Sequence, residues 1–445
     1  LFVGRAKELR LLEEYYNRKE SLPVVVYGRL GIGKTELLRL FAKNKICFYY
    51  YVADCSDKEQ KKRLQKSLGS RKETYEELFY EAQQTYSLVI LDEFHNGAKQ
   101  EKEFLAGLLK ACQMENDREK GLVILSSSLT DWVENDMASG INKTASSFSA
   151  FLKLEELGFM DIMTRFPDYS VKECVEVYGI LGGVPAYLGD WNEKRSVKEN
   201  IINLFLHKNG RLYHEGESFL KTQLRELSAY STILSYLAQG KTQLTELYEL
   251  TGFSRAKVSV YLKNLMALDV VEKVTSYEIK AKENTKKGVY RLRDTCLLFW
   301  YRFVYPNLSK LEERKMEEVY DKEILPALED YLELSFSKVC REYMRLLSDY
   351  KKLPFRIKAL DSWQGKTGEL KLIGQGDDGA LFVGGCKWSE EPLKEEDFIE
   401  ILHLSEQAKV KPDYYYLFSK SGFASSLEVK TKGMENVILM DLEDM

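Results

Sequence analysis

The sequence is short of several things, and each shortage excludes something. No apolar run approaches the ~18 residues that a membrane-crossing helix needs. The longest runs, such as Leu88-Val89-Ile90-Leu91, are strand-sized. The opening residues Leu1-Phe2-Val3-Gly4-Arg5 lack the basic-then-apolar layout of a secretion signal. The absent initiator Met points to a trimmed start. Seven cysteines are scattered without a CxxC pair, and their number is odd. That fits thiols in a reducing cytoplasm better than disulfides. Only eight prolines occur in 445 residues, so no large disordered tail is expected. The four histidines, His95, His207, His214 and His403, show no metal-ligand spacing.

What is present describes a globular chain. Hydrophobic residues make up 44% and charged residues 30%, enough for a sizeable core under a solvated surface. At roughly 100–200 residues per domain the length allows two to four domains. The net charge of −4 gives no global argument for nucleic acid. Residues 221–300, however, hold 13 Lys+Arg against 8 Asp+Glu, a local excess of five positive charges that leaves −9 for the rest. A module facing a polyanion would look like this, and so would ordinary segregation of solvated charges.

The chemistry is densest near the start. Pro23-Val24-Val25-Val26-Tyr27 is a β-branched run that predicts a buried strand. It leads into Gly28-Arg29-Leu30-Gly31-Ile32-Gly33-Lys34-Thr35, which is GxxxxGK[ST], and then into the helical pattern Leu37, Leu38, Leu40, Phe41. The glycines Gly28, Gly31 and Gly33 let backbone N–H groups wrap phosphates, and the helix N-terminus, through Thr35 and Glu36, adds partial positive charge. Lys34 is expected to reach the β/γ-phosphates of ATP, and the Thr35 hydroxyl to ligate Mg²⁺. A second run, Ser87-Leu88-Val89-Ile90-Leu91, ends in Asp92-Glu93. Asp92 is the expected Mg²⁺-shell carboxylate and Glu93 the general base that polarises the attacking water. A third run, Gly121-Leu122-Val123-Ile124-Leu125, ends in Ser126-Ser127-Ser128, which makes Ser127 and Ser128 candidates for sensing the γ-phosphate. A serine-rich turn is the plainer alternative there. Alternating strands and helices imply a mostly parallel sheet with ligands at the carboxyl ends of its strands.

These segments resemble the archaeal-type ATPases, a branch of the STAND/AAA+ P-loop ATPases that also occurs in bacteria. Phe2-Val3-Gly4-Arg5 with Glu8-Leu9 is similar to that family's N-terminal box, which implies Val3 and Arg5 near the adenine. Leu181-Gly182-Gly183-Val184-Pro185-Ala186-Tyr187-Leu188 resembles its GG-x-P-x-Y-L signature and implies Pro185 beside the base. Asp294 with Phe299-Trp300-Tyr301-Arg302-Phe303-Val304, and Phe418-Ser419-Lys420-Ser421-Gly422-Phe423, resemble later family segments. The resemblance implies an ATPase domain, a winged helix and a C-terminal nuclease-like domain. Family members usually carry a Tyr-Gly-Arg-like element before the lid; residues 144–149 contain no arginine, and Arg165 is not assigned that role. Slow hydrolysis is the expectation.

Downstream, residues 219–238 predict one helix and residues 244–250 another. The turn Thr251-Gly252-Phe253 then leads to a helix over 254–268, N-capped by Ser254. Residues 270–274 and 288–292 predict two wing strands joined through the lysine-rich segment 280–287. This is a winged helix-turn-helix whose second helix offers Arg255, Lys257 and Lys263 to DNA. A mere interdomain joint is the alternative. In the C-terminal part, 325–346 predicts a helix, and 353–357, 369–373, 380–383 and 412–418 predict strands. Asp377-Asp378-Gly379 predicts a hairpin turn. The resemblance implies a restriction-endonuclease-like fold in which Phe336-Ser337, Glu369-Leu370-Lys371 and Gly384-Gly385-Cys386-Lys387-Trp388 stand where acid-bearing motifs are usual. Ser337, Lys371 and Gly385 replace acids. Glu369, Lys371 and Lys387 would share one site too positive for a divalent metal, so the domain is expected to cut nothing.

The expectation as a whole is α/β. It comprises a P-loop AAA+/STAND ATPase core (1–155), a helical lid (156–215), a winged helix-turn-helix (216–300) and an α/β restriction-endonuclease-like domain (301–445). The expected function is a cytoplasmic, slowly hydrolysing switch whose bound ATP and Mg²⁺ set the arrangement of its other domains, with a protein partner as a candidate; a DNA-binding regulator in which ATP is mainly structural is the alternative and an active nuclease a remote third.

Overall fold

The apolar runs of the first third alternate between two cores. In the computed structural model, described for residues 3–18, 22–114, 121–137, 147–275, 288–365 and 367–445 (without the side chains of 222 and 223), these runs are strands. The chain forms two units. One comprises Leu1–Glu156 with Val184–Ala186 and Ala267–Asp269; the other holds the remainder.

In the first unit α1 (Ala6–Asn17) precedes β1 (Val24–Tyr27), α2 (Lys34–Ala42), β2 (Cys47–Tyr51), α3 (Asp57–Leu68), α4 (Tyr75–Thr85) and β3 (Leu88–Asp92). Then come α5 (His95–Gln100), α6 (Lys102–Gln113), β4 (Leu122–Ser127) and β5 (Ala150–Lys153). The five strands form a parallel sheet in the order β2-β3-β4-β1-β5. Because side chains alternate across a strand, Val25, Val89, Leu91, Val123 and Leu125 pack with Leu78 and Phe79 of α4 and Phe104 and Leu108 of α6. Val24, Val26, Leu88, Ile90, Leu122 and Ile124 face Leu37, Leu38 and Phe41 of α2 and Leu12 of α1. Burying each such side chain stabilises by about 1.5–3 kcal/mol. Both sheet faces are thus covered, and the strand ends are left to carry the polar residues.

The second unit includes the winged helix. Helices Leu244–Thr251 and Arg255–Ala267 flank a turn in which Gly252 has φ 68°, and the Ser254 hydroxyl caps the second helix by accepting from Lys257 N–H at 3.2 Å. Strands β6 (Val271–Val274) and β7 (Val289–Leu292) pair antiparallel. The segment 280–287 lies outside the described residues. The helix expected over 219–238 is instead two, Glu215–Gln223 and Leu227–Ala238. Leu224 is extended, and the Glu226 carboxylate is drawn to the Tyr261 hydroxyl and, at 3.7 Å, to Lys257. The apolar spacing runs on through the break, so periodicity alone does not reveal it.

Beyond lies a mixed sheet in the order β12-β11-β10-β9-β8, built from β8 (Ile357–Gln364), β9 (Glu369–Gly376), β10 (Leu381–Lys387), β11 (Tyr414–Ser419) and β12 (Val437–Met440). The helix Leu328–Asp349 lies on one face and the helix Glu395–Gln407 on the other. Pro326 confines the start of the expected 325–346 helix to a 3-10 turn, and the α-helix begins at Leu328. The strand expected at 353–357 begins only at Ile357, after Pro354, which has no N–H to give a ladder. The expected turn at Asp377-Asp378-Gly379 joins β9 to β10, with Gly379 at φ 92° and Gly376 N–H donating to Ala380 O at 2.8 Å.

Candidate nucleotide site

The loop between β1 and α2 is shaped for close approach. A Cβ on Gly28 would lie 2.6 Å from Leu154 O, and Gly33 stands at φ 91°, where a side chain is strained. Lys34 is buried, and its ammonium curls back to donate to Gly28 O at 2.8 Å and Arg29 O at 3.1 Å. Burial lowers its pKa, against the pull of Glu93 and Asp92. The loop is pinned from outside. Arg5 donates to Ile32 O at 3.1 Å and to Glu155 O at 2.6 Å, and Arg29 pairs with Glu156 at 3.4 Å. Ala186 N–H donates to Gly31 O at 3.2 Å, and the Pro185 ring would lie 3.7 Å from a Cβ on Gly33.

Asp92 ends β3 as a hub. Its Oδ2 accepts from the Thr35 hydroxyl at 3.1 Å and from the Tyr49 hydroxyl; its Oδ1 accepts from Ser126 Oγ at 2.6 Å and Glu93 N–H at 3.1 Å. Glu93 follows in the left-handed region at φ 54°. Its Oε2 accepts from Ser128 N–H at 2.9 Å and Ser128 Oγ at 2.8 Å, and lies 3.2 Å from His95 Nδ1. Ser127 is fully buried, with Oγ 3.1 Å from His95 Nδ1 and accepting from Leu129 N–H at 3.1 Å.

Of the residues picked from the sequence, the fold therefore brings together Gly28, Gly31, Gly33, Lys34, Thr35, Asp92, Glu93, Ser127, Ser128 and Pro185. Arg5 stands at the rim with its guanidinium committed to loop carbonyls. The Glu36 side chain faces solvent and pairs with Arg39 at 3.0 Å, so only its backbone is turned to the loop. Val3 begins the described chain, half-buried. Tyr49 and His95 carry no site role on the sequence alone, and Ser126 stands there only within the serine cluster that ends the third run. Tyr49 sits two residues before the end of β2, beside β3 in the sheet, and nothing in its local sequence marks it.

In the second unit Arg255, Lys257 and Lys263 all lie exposed along one helix. Lys257 also sits over the rings of Phe253 and Tyr261 at 4.8 and 5.4 Å. Arg165 pairs with Glu193. The expected single site of Glu369, Lys371 and Lys387 does not form. Glu369 pairs with Arg291 at 3.3 Å; Lys371 turns to Glu333 on the helix Leu328–Asp349, rather than to Glu369 or to open solvent; Lys387 pairs with Asp397 at 2.9 Å on the helix Glu395–Gln407. The two lysines thus pair with helices on opposite faces of the sheet; regular alternation would put both on one face, and the register shift of β9 against β8 between Ile373 and Leu370 lies at Lys371. At residue 385 even a Cβ would meet Ile401 Cδ1 at 2.4 Å, so Ile401 fills the room an acid would need. Among the described residues no cluster of three His, Cys, Asp or Glu side chains could hold a metal ion, and no helix is long and apolar enough to cross a membrane. All seven cysteines are free thiols.

Comparison with known proteins places these parts. Residues 2–191 match an ATPase domain found predominantly in Archaea. Residues 231–273 match the helix-turn-helix of bacterial regulatory proteins of the arsR family, and residues 300–401 match a family of archaeal and bacterial proteins of unknown function. An uncharacterized protein of Methanocaldococcus jannaschii is 29% identical over 456 aligned positions, spanning all of both chains. An uncharacterized ATP-binding protein of the same organism is 40% identical over 45 residues, 10% of this chain and 76% of that one. Among solved structures, a Walker-type ATPase of Pyrococcus abyssi is similar at 16% identity and a TM-score of 0.47, over 68% of this chain and 96% of that one. The chain thus carries an ATPase domain of the kind found predominantly in Archaea, followed in order by a helix-turn-helix segment and that C-terminal domain.

Proposed function

We propose that this chain is an ATP-binding molecular switch of the STAND/AAA+ kind that hydrolyses ATP slowly. Its bound nucleotide would set the arrangement of a lid (156–215), a winged helix (216–300) and a C-terminal domain (301–445). The observation that carries the reading is the convergence of Lys34, the Thr35–Asp92 pair and Glu93 at the carboxyl ends of β1 and β3. A hydroxyl and a carboxylate 3.1 Å apart form a hard oxygen donor set that suits Mg²⁺, which would neutralise phosphate charge when bound. Lys34, released from the loop carbonyls, would meet the phosphates. Glu93 would orient the attacking water. Ser127 and Ser128, one strand away, would respond to the γ-phosphate. Slow turnover is supported by the lack of arginine in residues 144–149. Wild-type protein is therefore expected to bind Mg·ATP in isothermal titration and to release phosphate well below the ~10 s⁻¹ median of enzymes. Absence of ATP binding would refute the reading. Free thiols support a cytoplasmic setting.

A second reading, a DNA-binding regulator in which ATP is mainly structural, draws on the exposed row Arg255, Lys257 and Lys263. If these meet phosphates, log K should fall against log salt with a slope of about −0.9 per contact, and reversing the charges should flatten it. A filter-binding series at rising salt decides the matter. Protein that shows no salt-sensitive binding at low ionic strength leaves the winged helix as a joint.

A further inference from the structure

His95 is a buried polar side chain to which the ATP reading gives no task. It opens α5, next to the ring of Trp132, with only 7% of its surface exposed. Burial, with Lys99 and Lys34 adding repulsion, pushes it down to about 4, so the ring is neutral near pH 7. A neutral imidazole has one N–H and one bare nitrogen. Its Nδ1 stands 3.2 Å from Glu93 Oε2 and 3.1 Å from Ser127 Oγ. A carboxylate offers no proton, so the negative oxygen 3.2 Å from Nδ1 favours, by electrostatics, the tautomer that carries its proton there.

The effect on Glu93 follows from which oxygen is used. Ser128 N–H and Ser128 Oγ both donate to Oε2, His95 Nδ1 lies 3.2 Å from that same oxygen, and Oε1 takes no hydrogen bond from a described residue. Two hydrogen bonds from Ser128, with His95 Nδ1 close against the same oxygen, fix the carboxylate plane and leave the other oxygen for a water. We propose that His95 is a positioning residue: with Ser128 it aims Glu93, and through Ser127 it ties that aim to the end of β4. This rests on the ATPase reading of the site. Ser127 and Ser128 are neighbours on the segment expected to sense the γ-phosphate, so a shift of that segment would be felt by Glu93 through both contacts.

A positional error of about 1 Å at a reacting group lowers rate by roughly 100-fold. His95→Ala is therefore expected to lower kcat by about that factor with the Kd for Mg·ATP unchanged. His95→Asn, which returns a donor near the Nδ1 position, should recover most of the loss. In a Glu93→Gln background His95→Ala should add nothing, because residues that act through one another are not additive. A second arm needs no nucleotide. Nitrogen-15 NMR of the full-length protein should show the His95 proton on Nδ1, and Glu93→Ala should move that resonance. An unchanged or raised kcat in folded His95→Ala, or an Nδ1 signal indifferent to Glu93, overturns the proposal. A wild-type protein without turnover would sink the ATPase reading instead, and the NMR arm would still decide whether His95 holds Glu93.

Discussion

Lys34→Ala is expected to lose at least about 100-fold in ATP affinity. Hydrogen bonds to charged groups contribute about 1.5–3 kcal/mol each, and an ammonium between two phosphates makes more than one. The resting structure adds a reason for the size of the effect. Lys34 already gives its protons to Gly28 O and Arg29 O, and so helps to hold the loop in a shape that admits phosphates. Alanine removes both the countercharge and this internal brace. The loop is also held by Arg5 and by Ala186, so the fold itself should survive, and the melting temperature checks this. Isothermal titration that returns wild-type affinity in a folded Lys34→Ala variant would contradict the assignment of the loop to phosphate binding.

Glu93→Gln should separate binding from chemistry. A glutamine amide keeps an oxygen that can accept from Ser128 N–H and Oγ, so the local arrangement persists. It cannot take a proton or polarise a water as a carboxylate does. General-base catalysis contributes roughly 10²–10⁴-fold, and a loss in that range is expected in steady-state phosphate release with Mg·ATP still bound. Rapid turnover in this variant would remove Glu93 from its role. The two substitutions therefore fail differently: one at binding, one after it.

The parts of this site that were legible in the sequence are those whose chemistry forces contiguity. A phosphate cradle must be one loop entering one helix, so residues 28–35 announce themselves. Asp92 and Glu93 are readable because a buried strand ending in two acids follows that loop. Tyr49 and His95 are a different matter. Each reaches its carboxylate through sheet register or through the turn after β3, which a linear reading does not contain. The four histidines show no metal-ligand spacing in the sequence, and His95 has its consequence through a neighbouring carboxylate instead. The C-terminal domain shows the opposite failure. Its strands were largely legible, but the supposed common site of Glu369, Lys371 and Lys387 was an artefact of reading motif positions without faces. Lys371 and Lys387 point through opposite sides of one sheet toward different helices. The helix break at 224–226 was hidden because the apolar spacing runs on through it, and Tyr261, which Glu226 meets there, lies far along the chain in another helix.

The order of the parallel sheet has a consequence for the birth of the protein. β1 lies between β4 and β5, and Val24 is paired with both Ile124 and Ala150. A Cβ on Gly28 would strike Leu154, and Gly28 N–H donates to Ser127 O at 3.2 Å, so both later strands form part of the cradle. The P-loop sequence thus leaves the ribosome long before its walls exist. At roughly 5–20 residues per second, the delay is on the order of ten seconds. During it, Val24, Val25 and Val26 have neither neighbouring strand, and the nascent chain carries an apolar ribbon with open edges. Nucleotide cannot shelter that intermediate, because the pocket that would hold it is completed only by the last strand of the sheet.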